Sequence, residues 1–257
     1  MAEHAKSSGE LEGRVAVVTG SSSGIGRAIA LELASAGAHC LIHARQNRDA
    51  ANAVAAEING LGGRCEVLLA DLSEKDEQDR FANAAWQWQG KVDIWINNAG
   101  ADTLTASAAR WSFEQKLAAL WRLDVVATMR LARAIGALMK ERGEGVILNM
   151  GWDQAESGMA GDSGELFAAA KGAVMAFTRS LARSLAPSVR VNCLAPGWIK
   201  TKWGEQASQY WQDRAVGESL LARWGTPEDV ARVARFFASP AAAFITGQTI
   251  AINGGSK

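Results

Sequence analysis

The sequence contains a single tyrosine, Tyr210, and only three cysteines and three histidines among 257 residues. Cys40, Cys65 and Cys193 are far apart in apolar runs, which is typical of reduced core residues in a cytoplasmic protein and not of a disulfide framework or a metal motif. The histidines lie near the start and on one predicted strand, so a histidine metal site is not expected. We therefore expect no bound metal and a cytoplasmic location.

An excess of one charge and a long apolar segment are also missing. Lys+Arg and Asp+Glu both number 27, so the formal net charge is zero and nothing suggests binding to nucleic acid. The polar residues 1–12 lack the apolar middle of a signal peptide, and we expect them to be a flexible tail before one domain at 13–257. The longest uncharged run, 236–256, contains proline and several glycines, which disfavours a membrane span.

Short apolar runs and helical patterns alternate along the whole chain. The runs that predict strands are 15–18, 39–43, 65–70, 92–96, 146–150, 189–193 and 249–252. The patterns that predict helices begin at 27 and continue at 48–59, 74–89, 113–142, 165–186 and 227–238. This alternation predicts an α/β fold with one doubly wound parallel sheet of about seven strands flanked by helices. Such sheets bind ligands beyond the carboxyl ends of their strands, so residues just after strands are the functional candidates.

A glycine-rich turn follows the first predicted strand. Thr19 and Gly20 end the apolar run, and Gly24 and Gly26 precede a helical pattern. A strand, a glycine turn and a helix place backbone N–H groups and a helix N-terminus against a phosphate, and glycine permits the close approach. We therefore predict a dinucleotide site that includes Gly20, Ser22, Ser23, Gly24, Ile25 and Gly26.

The residues after the second predicted strand bear on the choice of cofactor. An NAD-binding protein places Asp or Glu on the ribose hydroxyls about twenty residues beyond the glycine turn. This chain has Arg45 within the run 44–47 and no carboxylate there. The planar guanidinium could pair with the 2′-phosphate of NADP, which favours NADP(H) over NAD(H). The alternative is a solvated surface arginine.

The spacing Thr19-Gly20-x-x-x-Gly24-Ile25-Gly26 resembles the motif of the short-chain dehydrogenase/reductase family. Other motifs of that family follow in order at 71–72, 97–100, 192–201, 223–230 and 245–255, so the resemblance covers nearly the whole chain. It implies a Rossmann-type fold, in which the motif positions lie beside the adenine, the pyrophosphate and the nicotinamide. The cofactor residues that it adds are Asp71, Leu72, Asn98, Ala99, Gly100, Lys171, Pro196, Gly197, Ile199 and Thr201.

The chain departs from the family's catalytic set of Asn, Ser, Tyr and Lys. A carbonyl that gains a hydride needs a proton, which a phenol of pKa about 10 can supply beside an ammonium group. The Tyr-x-x-x-Lys motif is here Phe167 and Lys171, Trp152 replaces the serine, and Asp124 replaces the asparagine. We therefore name Lys171 and Asp124 as the candidate catalytic residues. In the family, the lysine also hydrogen-bonds the ribose.

The loop between Trp152 and Phe167 is about two residues longer than the family's, and it could supply another acid. A carboxyl group buried against an indole can have a raised pKa and act as a general acid. The alternative is a solvated acidic loop, and Tyr210 is a weaker candidate. The acids of this loop are Asp153, Glu156, Asp162 and Glu165.

Ten tryptophans are the other unusual feature of the composition. Trp198, Trp203 and Trp211 lie in the segment 198–222, where the family builds a small substrate lid, and with Trp152 they could line a flat apolar pocket. For the remaining helical tryptophans, core or subunit contact is the simpler interpretation; these are Trp86, Trp88, Trp111 and Trp121.

Two functions fit these patterns. One is an NADP(H)-dependent oxidoreductase with a non-standard site that acts on a small apolar carbonyl, alcohol or enone. The other is a catalytically inactive NADP(H)-binding homologue, serving as a cofactor-responsive partner or an inactive subunit. A structural remnant without cofactor is disfavoured by the intact glycine turn. The resemblance also implies a homodimer or homotetramer formed through the helices at 113–142 and 165–186.

Overall fold

A computed structural model describes residues 9–255, and it has the expected α/β architecture with one seven-stranded sheet. The strands are β1 Val15–Val18, β2 His39–Ala44, β3 Cys65–Leu69, β4 Ile94–Asn97, β5 Gly145–Met150, β6 Val189–Pro196 and β7 Thr249–Ile252. All pairs are parallel, in the order β3-β2-β1-β4-β5-β6-β7. The order reverses between β1 and β4, and α/β sheets bind ligands at such a point.

Helices cover both faces of the sheet. They are α1 Gly24–Ser35, α2 Arg48–Gly60, α3 Lys75–Trp88, α4 Phe113–Leu120, α5 Thr128–Arg142, α6 Asp162–Leu185, α7 Lys202–Gln206, α8 Gln209–Glu218 and α9 Pro227–Ala238. The helix predicted at 113–142 is interrupted by a π-helical segment, Trp121–Ala127, which joins α4 to α5. Such a widened turn is frequent at functional sites, and Asp124 lies within it.

Two apolar layers enclose the central strands. On one face, α1 and α9 pack through Ile29 and Val230, and on the other, α3 and α5 pack through Phe81 and Leu131. Because both faces are covered, β1 and β4 are fully buried, which explains why β1 is a continuous apolar run without alternation. None of the described helices is long and apolar enough to cross a membrane.

A buried chain of hydrogen bonds ties β4 and β5 to α6. The Trp95 indole donates to Asn97 Oδ1 at 2.7 Å, Asn97 Nδ2 donates to Asn149 Oδ1 at 2.9 Å, and Asn149 Nδ2 donates to Thr178 Oγ1 at 2.9 Å. Each polar group is satisfied inside the core, so the chain fixes α6 relative to the sheet. This helix carries Phe167 and Lys171.

Leu11, which belongs to the tail predicted at 1–12, packs on the folded domain. Leu11 is buried, and its N–H donates to the carbonyl oxygen of Ala36 at 2.9 Å, just after α1. Burying one leucine at the end of α1 is enough to order this turn, because the apolar side chain leaves water. Residues 1–8 lie outside the described part of the chain.

Candidate functional site

A cleft of about 700 Å³ opens at the carboxyl ends of β1 to β4. It lies where the strand order reverses, as expected for a parallel sheet. Many of the predicted cofactor residues form its walls, namely Gly20, Ser22, Ser23, Arg45, Asp71, Leu72, Asn98, Ala99 and Gly100. These residues, which are far apart in the sequence, thus line one cavity.

The glycine turn adopts a backbone that other residues would strain. Gly20 and Gly24 have φ of 65° and 55°, in the left-handed region. A Cβ added to Gly20 would lie 2.9 Å from Cα of Ala99, and one added to Gly26 would lie 2.4 Å from the carbonyl oxygen of Gly20. Glycine at these positions thus lets the turn pack against the residues after β4 and form the floor of the cleft.

Thr19 and Asn98 lock this floor together. Thr19 Oγ1 accepts the N–H groups of Asn98 at 2.9 Å and Ala99 at 3.0 Å, and the Asn98 amide donates to the Thr19 carbonyl oxygen at 2.9 Å. Thr19 is almost completely buried. Thr19 is part of the sequence motif, but its hydrogen bonds between the glycine turn and the loop after β4 are seen only in the structure.

His43 is a site residue that the sequence analysis missed. It was considered only as a possible metal ligand, yet it is buried beneath the glycine turn. Its Nδ1 accepts the N–H of Gly20 at 2.9 Å, and its Nε2 lies 3.0 Å from the carbonyl oxygen of Ala70. One feature of the sequence indicates that His43 belongs to the site: it lies on the strand after the glycine turn, two residues before Arg45.

Arg45 and Asp71 lie at the outer edge of the cleft. The Arg45 side chain is exposed, and Asp71 Oδ1 accepts hydrogen bonds from the N–H and Oγ of Ser73 at 3.0 and 2.7 Å. Partial burial raises the pKa of Asp71, but the bonds from Ser73 and the charge of Arg45 outweigh it and lower the pKa below its usual value. Asp71 is therefore ionised at neutral pH and caps its own turn.

Three other predicted cofactor residues do not line the cleft and follow or end β6. They are Pro196, Gly197 and Thr201. A Cβ on Gly24 would lie 3.8 Å from Cγ2 of Thr201, so the two loops face each other. Pro196 ends β6, and Gly197 packs closely on Asn253. The side chains of Ile25 and Ile199 pack into the core beside α9.

Asp124 and Lys171 form a buried ion pair. Asp124 Oδ2 lies 2.9 Å from Lys171 Nζ, with side-chain exposures of 1% and 8%. The second oxygen, Oδ1, accepts the N–H of Ala101 at 2.8 Å. The carboxylate thus neutralises the lysine inside the protein and ties α6 to the residues after β4. An asparagine at this position would offer an amide donor but no charge.

Trp152 and Phe167, the residues predicted to replace the family's serine and tyrosine, are in contact with each other. The centroids of Trp152 and Phe167 are 5.4 Å apart in an edge-to-face arrangement, and Lys171 Nζ lies 5.3 Å from the Phe167 centroid. Such ring pairs are favourable contacts, but neither ring carries a hydroxyl. Here the lysine faces an aromatic ring in place of a phenol.

Among the acids of the loop between Trp152 and Phe167, Asp153 differs from the others because it is partly buried. Burial raises the pKa of its carboxyl group, while a hydrogen bond from Asn253 Nδ2 to Oδ2 at 3.0 Å opposes this shift. The remaining acids of this loop are exposed, as expected for a solvated surface: Glu156, Asp162 and Glu165. Within residues 9–255, no group of three or more His, Cys, Asp and Glu side chains could hold a metal ion.

The tryptophans of segment 198–222 pack on one another and on Trp224. Trp198 stacks on Trp203 with a centroid distance of 6.1 Å, and it approaches Trp211 at 5.5 Å and Trp224 at 6.0 Å. We call these four residues the indole cluster. Trp152 was expected to line a pocket with the lid indoles, but its aromatic contact is with Phe167.

Glu218, at the end of α8, anchors the indole cluster. It accepts hydrogen bonds from Trp198 Nε1 at 2.7 Å, Arg214 Nε at 2.6 Å and Gln154 Nε2 at 3.3 Å. The Arg214 guanidinium also lies over two rings of the cluster, 5.7 Å from Trp198 and 5.2 Å from Trp211. These contacts connect the helices α7 and α8 to the loop after β5. Tyr210 is mostly exposed on the outer side of α8.

The sequence and structure are similar to those of known dehydrogenases and reductases over almost their whole length. A family model described as enoyl-(acyl carrier protein) reductase matches residues 20–257. A 3-oxoacyl-[acyl-carrier-protein] reductase from Synechocystis sp. is 37% identical over 250 residues, which cover 95% of this chain and 97% of the relative.

Two solved structures of enzymes with bound cofactors share the fold. A 7 alpha-hydroxysteroid dehydrogenase complexed with NADH and 7-oxo glycochenodeoxycholic acid has a TM-score of 0.87 and 31% identity, covering 96% of this chain and 95% of the other. A gluconate 5-dehydrogenase from Burkholderia cenocepacia J2315 in complex with NADP and tartrate has a TM-score of 0.85 and 30% identity, covering 95% of each chain.

Proposed function

The chain belongs to the short-chain dehydrogenase/reductase family, and from this membership we propose that it is an NADP(H)-binding oxidoreductase with a non-standard active site. Its substrate would be a small apolar carbonyl, alcohol or enone. The observation that carries the proposal is the cleft at the switch point, where the glycine turn is fixed against the residues after β4. The catalytic end, by contrast, has Phe167 and Trp152 in place of hydroxyl side chains.

The residues of the cleft fit a dinucleotide. A Cβ at Gly20 or Gly26 would collide with atoms of Asn98, Ala99 or Gly20, so glycine lets the turn pack tightly at the N-terminus of α1, where a dinucleotide phosphate would lie. Arg45 would pair with a 2′-phosphate, and no carboxylate occupies 44–47 to select a free ribose hydroxyl. The solved relatives include one complex with NADH and one with NADP, so the preference for NADP(H) rests on Arg45. When bound, the cofactor would supply the exchange of a hydride.

The chain's own residues limit the chemistry at the other end. A carbonyl that gains a hydride also needs a proton, and Phe167 has none to donate. Loss of a general acid typically slows a reaction by about 10²- to 10⁴-fold. We therefore favour a conjugated alkene, whose carbon water can protonate, over an ordinary ketone. Within the loop after β5, Asp153 is the best placed alternative acid, because burial raises its pKa.

The indole cluster supports an apolar substrate. Trp198, Trp203 and Trp211 give segment 198–222 an aromatic character that suits flat, weakly polar molecules better than sugar acids. The assay panel therefore includes enones, a 7-oxo steroid and a 3-oxoacyl thioester, the last two because relatives act on or bind such carbonyls.

A second function, cofactor binding without turnover, is favoured by one observation. The charge of Lys171 is already neutralised by Asp124, so this lysine has a partner inside the protein whether or not a substrate is present. Such a protein would respond to NADP(H) as a partner or an inactive subunit.

A binding titration and a turnover assay separate the two functions. NADPH and NADH are titrated while tryptophan emission is followed, and we expect tighter binding of NADPH that Arg45→Ala reduces to the level of NADH. Consumption of NADPH is then measured with the substrate panel. Binding without turnover would leave the second function, and binding of neither cofactor would exclude both.

The missing hydroxyls can be restored as a direct check. The double variant Phe167→Tyr with Trp152→Ser should increase ketone reduction by about 10²-fold or more if the absent proton donor is the cause. Trp152→Phe keeps an aromatic ring and is the matched control. An unchanged rate in the double variant would show that the pocket itself has diverged.

A further inference from the structure

His43 lies at the junction of three strands below the phosphate-binding turn. It belongs to β2 and is 2% exposed. Its Nδ1 accepts the N–H of Gly20, which follows β1, and its Nε2 lies 3.0 Å from the carbonyl oxygen of Ala70, which follows β3. The imidazole therefore connects the glycine turn to the strand on the opposite side of β2.

These two contacts define the protonation state of the ring. A backbone N–H can only donate, so Nδ1 must carry a free lone pair, and a carbonyl oxygen can only accept, so Nε2 must carry the hydrogen. The ring is consequently the neutral Nε2–H tautomer. An imidazolium would carry a second hydrogen on Nδ1, directed at the Gly20 N–H, and that hydrogen bond would be lost.

Ser21 reinforces the connection through the backbone. Its Oγ accepts the N–H of His43 at 3.0 Å and donates to the carbonyl oxygen of Val18 at 2.7 Å, while its N–H donates to the carbonyl oxygen of His43 at 2.9 Å. Two consecutive residues of the turn are thus held by one histidine. The orientation of the Gly20 peptide depends on the imidazole, because its N–H has this ring as its partner.

We propose that His43 is a positioning residue for the cofactor: its neutral imidazole sets the Gly20 peptide so that the turn accepts the dinucleotide phosphates, and protonation releases the turn and weakens binding. This inference rests on the proposed NADP(H) function and adds a residue through which that affinity depends on pH. His43 acts through the backbone of the turn, not through contact with the cofactor.

The groups around the ring favour the neutral form at physiological pH. Burial lowers the pKa of His43 to about 4, although the bond to Ala70 and the nearby Asp71 carboxylate oppose this shift. Arg45 follows directly after the end of β2, and α3 contributes the uncharged ring of Phe81 at a centroid distance of 4.8 Å. An exposed histidine takes up its proton near pH 6.5, so the bond to Gly20 persists below that pH and is lost as the pH falls through about 4.

Three substitutions at His43 separate positioning from packing. In His43→Asn, Oδ1 takes the place of Nδ1 as acceptor, because both atoms are two bonds from Cβ. His43→Gln keeps a donor for the Ala70 carbonyl, but its amide oxygen is three bonds from Cβ, so no acceptor stands at the position of Nδ1. His43→Phe keeps the ring against Phe81 but has neither donor nor acceptor. We expect NADP⁺ affinity within about threefold of wild type for the asparagine variant and at least about tenfold weaker for the other two.

The outcomes distinguish this inference from the proposed function. Affinity is measured by calorimetry at pH 7, with NADP⁺ because the reduced cofactor decomposes in acid. If the wild type binds and the phenylalanine variant binds equally well, the ring only packs and the inference is wrong. If the wild type does not bind, the proposed function fails, and the affinity role of His43 fails with it.

A spectroscopic measurement tests the tautomer independently of the cofactor. Nitrogen NMR of the histidine-labelled, cofactor-free protein at pH 5.5 should show His43 neutral with hydrogen on Nε2, whereas an exposed histidine is about 90% charged there. The signal is assigned by its absence in His43→Asn. A charged His43, or one with hydrogen on Nδ1, would overturn the inference. In addition, wild-type affinity should fall relative to the asparagine variant as the pH approaches 4.

Discussion

At the scale of single residues, Asp124 determines the environment of Lys171. The resemblance places an asparagine at this position, whereas this chain has a carboxylate there. The carboxylate and the ammonium are 2.9 Å apart and both are buried. Removing one partner of a buried ion pair leaves an uncompensated charge in a medium of low dielectric constant, which costs more than the pair itself contributes. Lys171 therefore depends on Asp124 for its place in the core, whatever its role towards a cofactor.

We expect Asp124→Asn to lower the free energy of unfolding by about 3 kcal/mol, because Lys171 Nζ loses the carboxylate that lies 2.9 Å from it inside the protein. Urea denaturation measures the change. The matched control is Asp79→Asn, which removes an exposed carboxylate from the surface pair with Arg130 and should have a far smaller effect. Equal effects at the two positions would contradict a buried charge pair.

At the scale of elements, the three tryptophans of segment 198–222 pack on one another. The indole cluster gives α7 and α8 a small core, and Glu218 fastens it to the loop after β5. Partial burial raises the pKa of Glu218, but the bonds from Arg214 and Trp198 outweigh this effect and keep the pKa below its usual value. Glu218 is thus ionised at neutral pH, where it holds all three partners.

Glu218→Ala should loosen this segment without unfolding the sheet. We expect amide hydrogen exchange in α7 and α8 to become about tenfold faster, since several hydrogen bonds to a charged group are lost, while β1 and β4 stay protected. Asp213→Ala is the control, because this acid lies on the same helix and accepts a hydrogen bond from Gln209 on the surface. Unchanged exchange in α8 would show that the indole contacts alone hold the segment.

At the scale of the whole molecule, the exposed apolar residues suggest how copies associate. Phe113, Leu117 and Trp121 are spaced four residues apart, and they are 39%, 38% and 46% exposed. Residues at this spacing share one helix face, so α4 and the first residue of the π-helical segment present an apolar stripe to solvent. The homodimer or homotetramer implied by the family resemblance would bury this stripe.

We predict that the wild type sediments as a dimer or tetramer at micromolar concentration and that Leu117→Lys with Trp121→Glu reduces its mass. Two charges within an apolar contact are costly to bury. Leu61→Lys, on an exposed leucine after α2, serves as the control and should leave the mass unchanged. A monomeric wild type would refute association altogether.

The sequence predicted the sheet because the position of each strand and helix depends mainly on patterns between residues that are close along the chain. Apolar runs, glycine turns and helical spacing are short-range properties, and a parallel sheet gathers the ends of its strands at one edge. For this reason Gly20, Arg45, Asp71 and Asn98, which are distant along the chain, line one cleft. The absence of hydroxyls at Phe167 and Trp152 also follows from the sequence alone, since residue identity fixes which functional groups a side chain carries.

The contacts that set charge and position were decided only by the tertiary structure. The pairing of Asp124 with Lys171, the anchoring role of Glu218 and the two bonds of His43 each join segments far apart in the sequence. A pKa or a tautomer depends on burial and partners, which exist only after folding. The sequence by itself determined a glycine turn between a strand and a helix and the absence of a hydroxyl at Phe167, because residue identity and short-range spacing fix both. Tertiary packing determined which groups hold that turn and where the remaining charges lie.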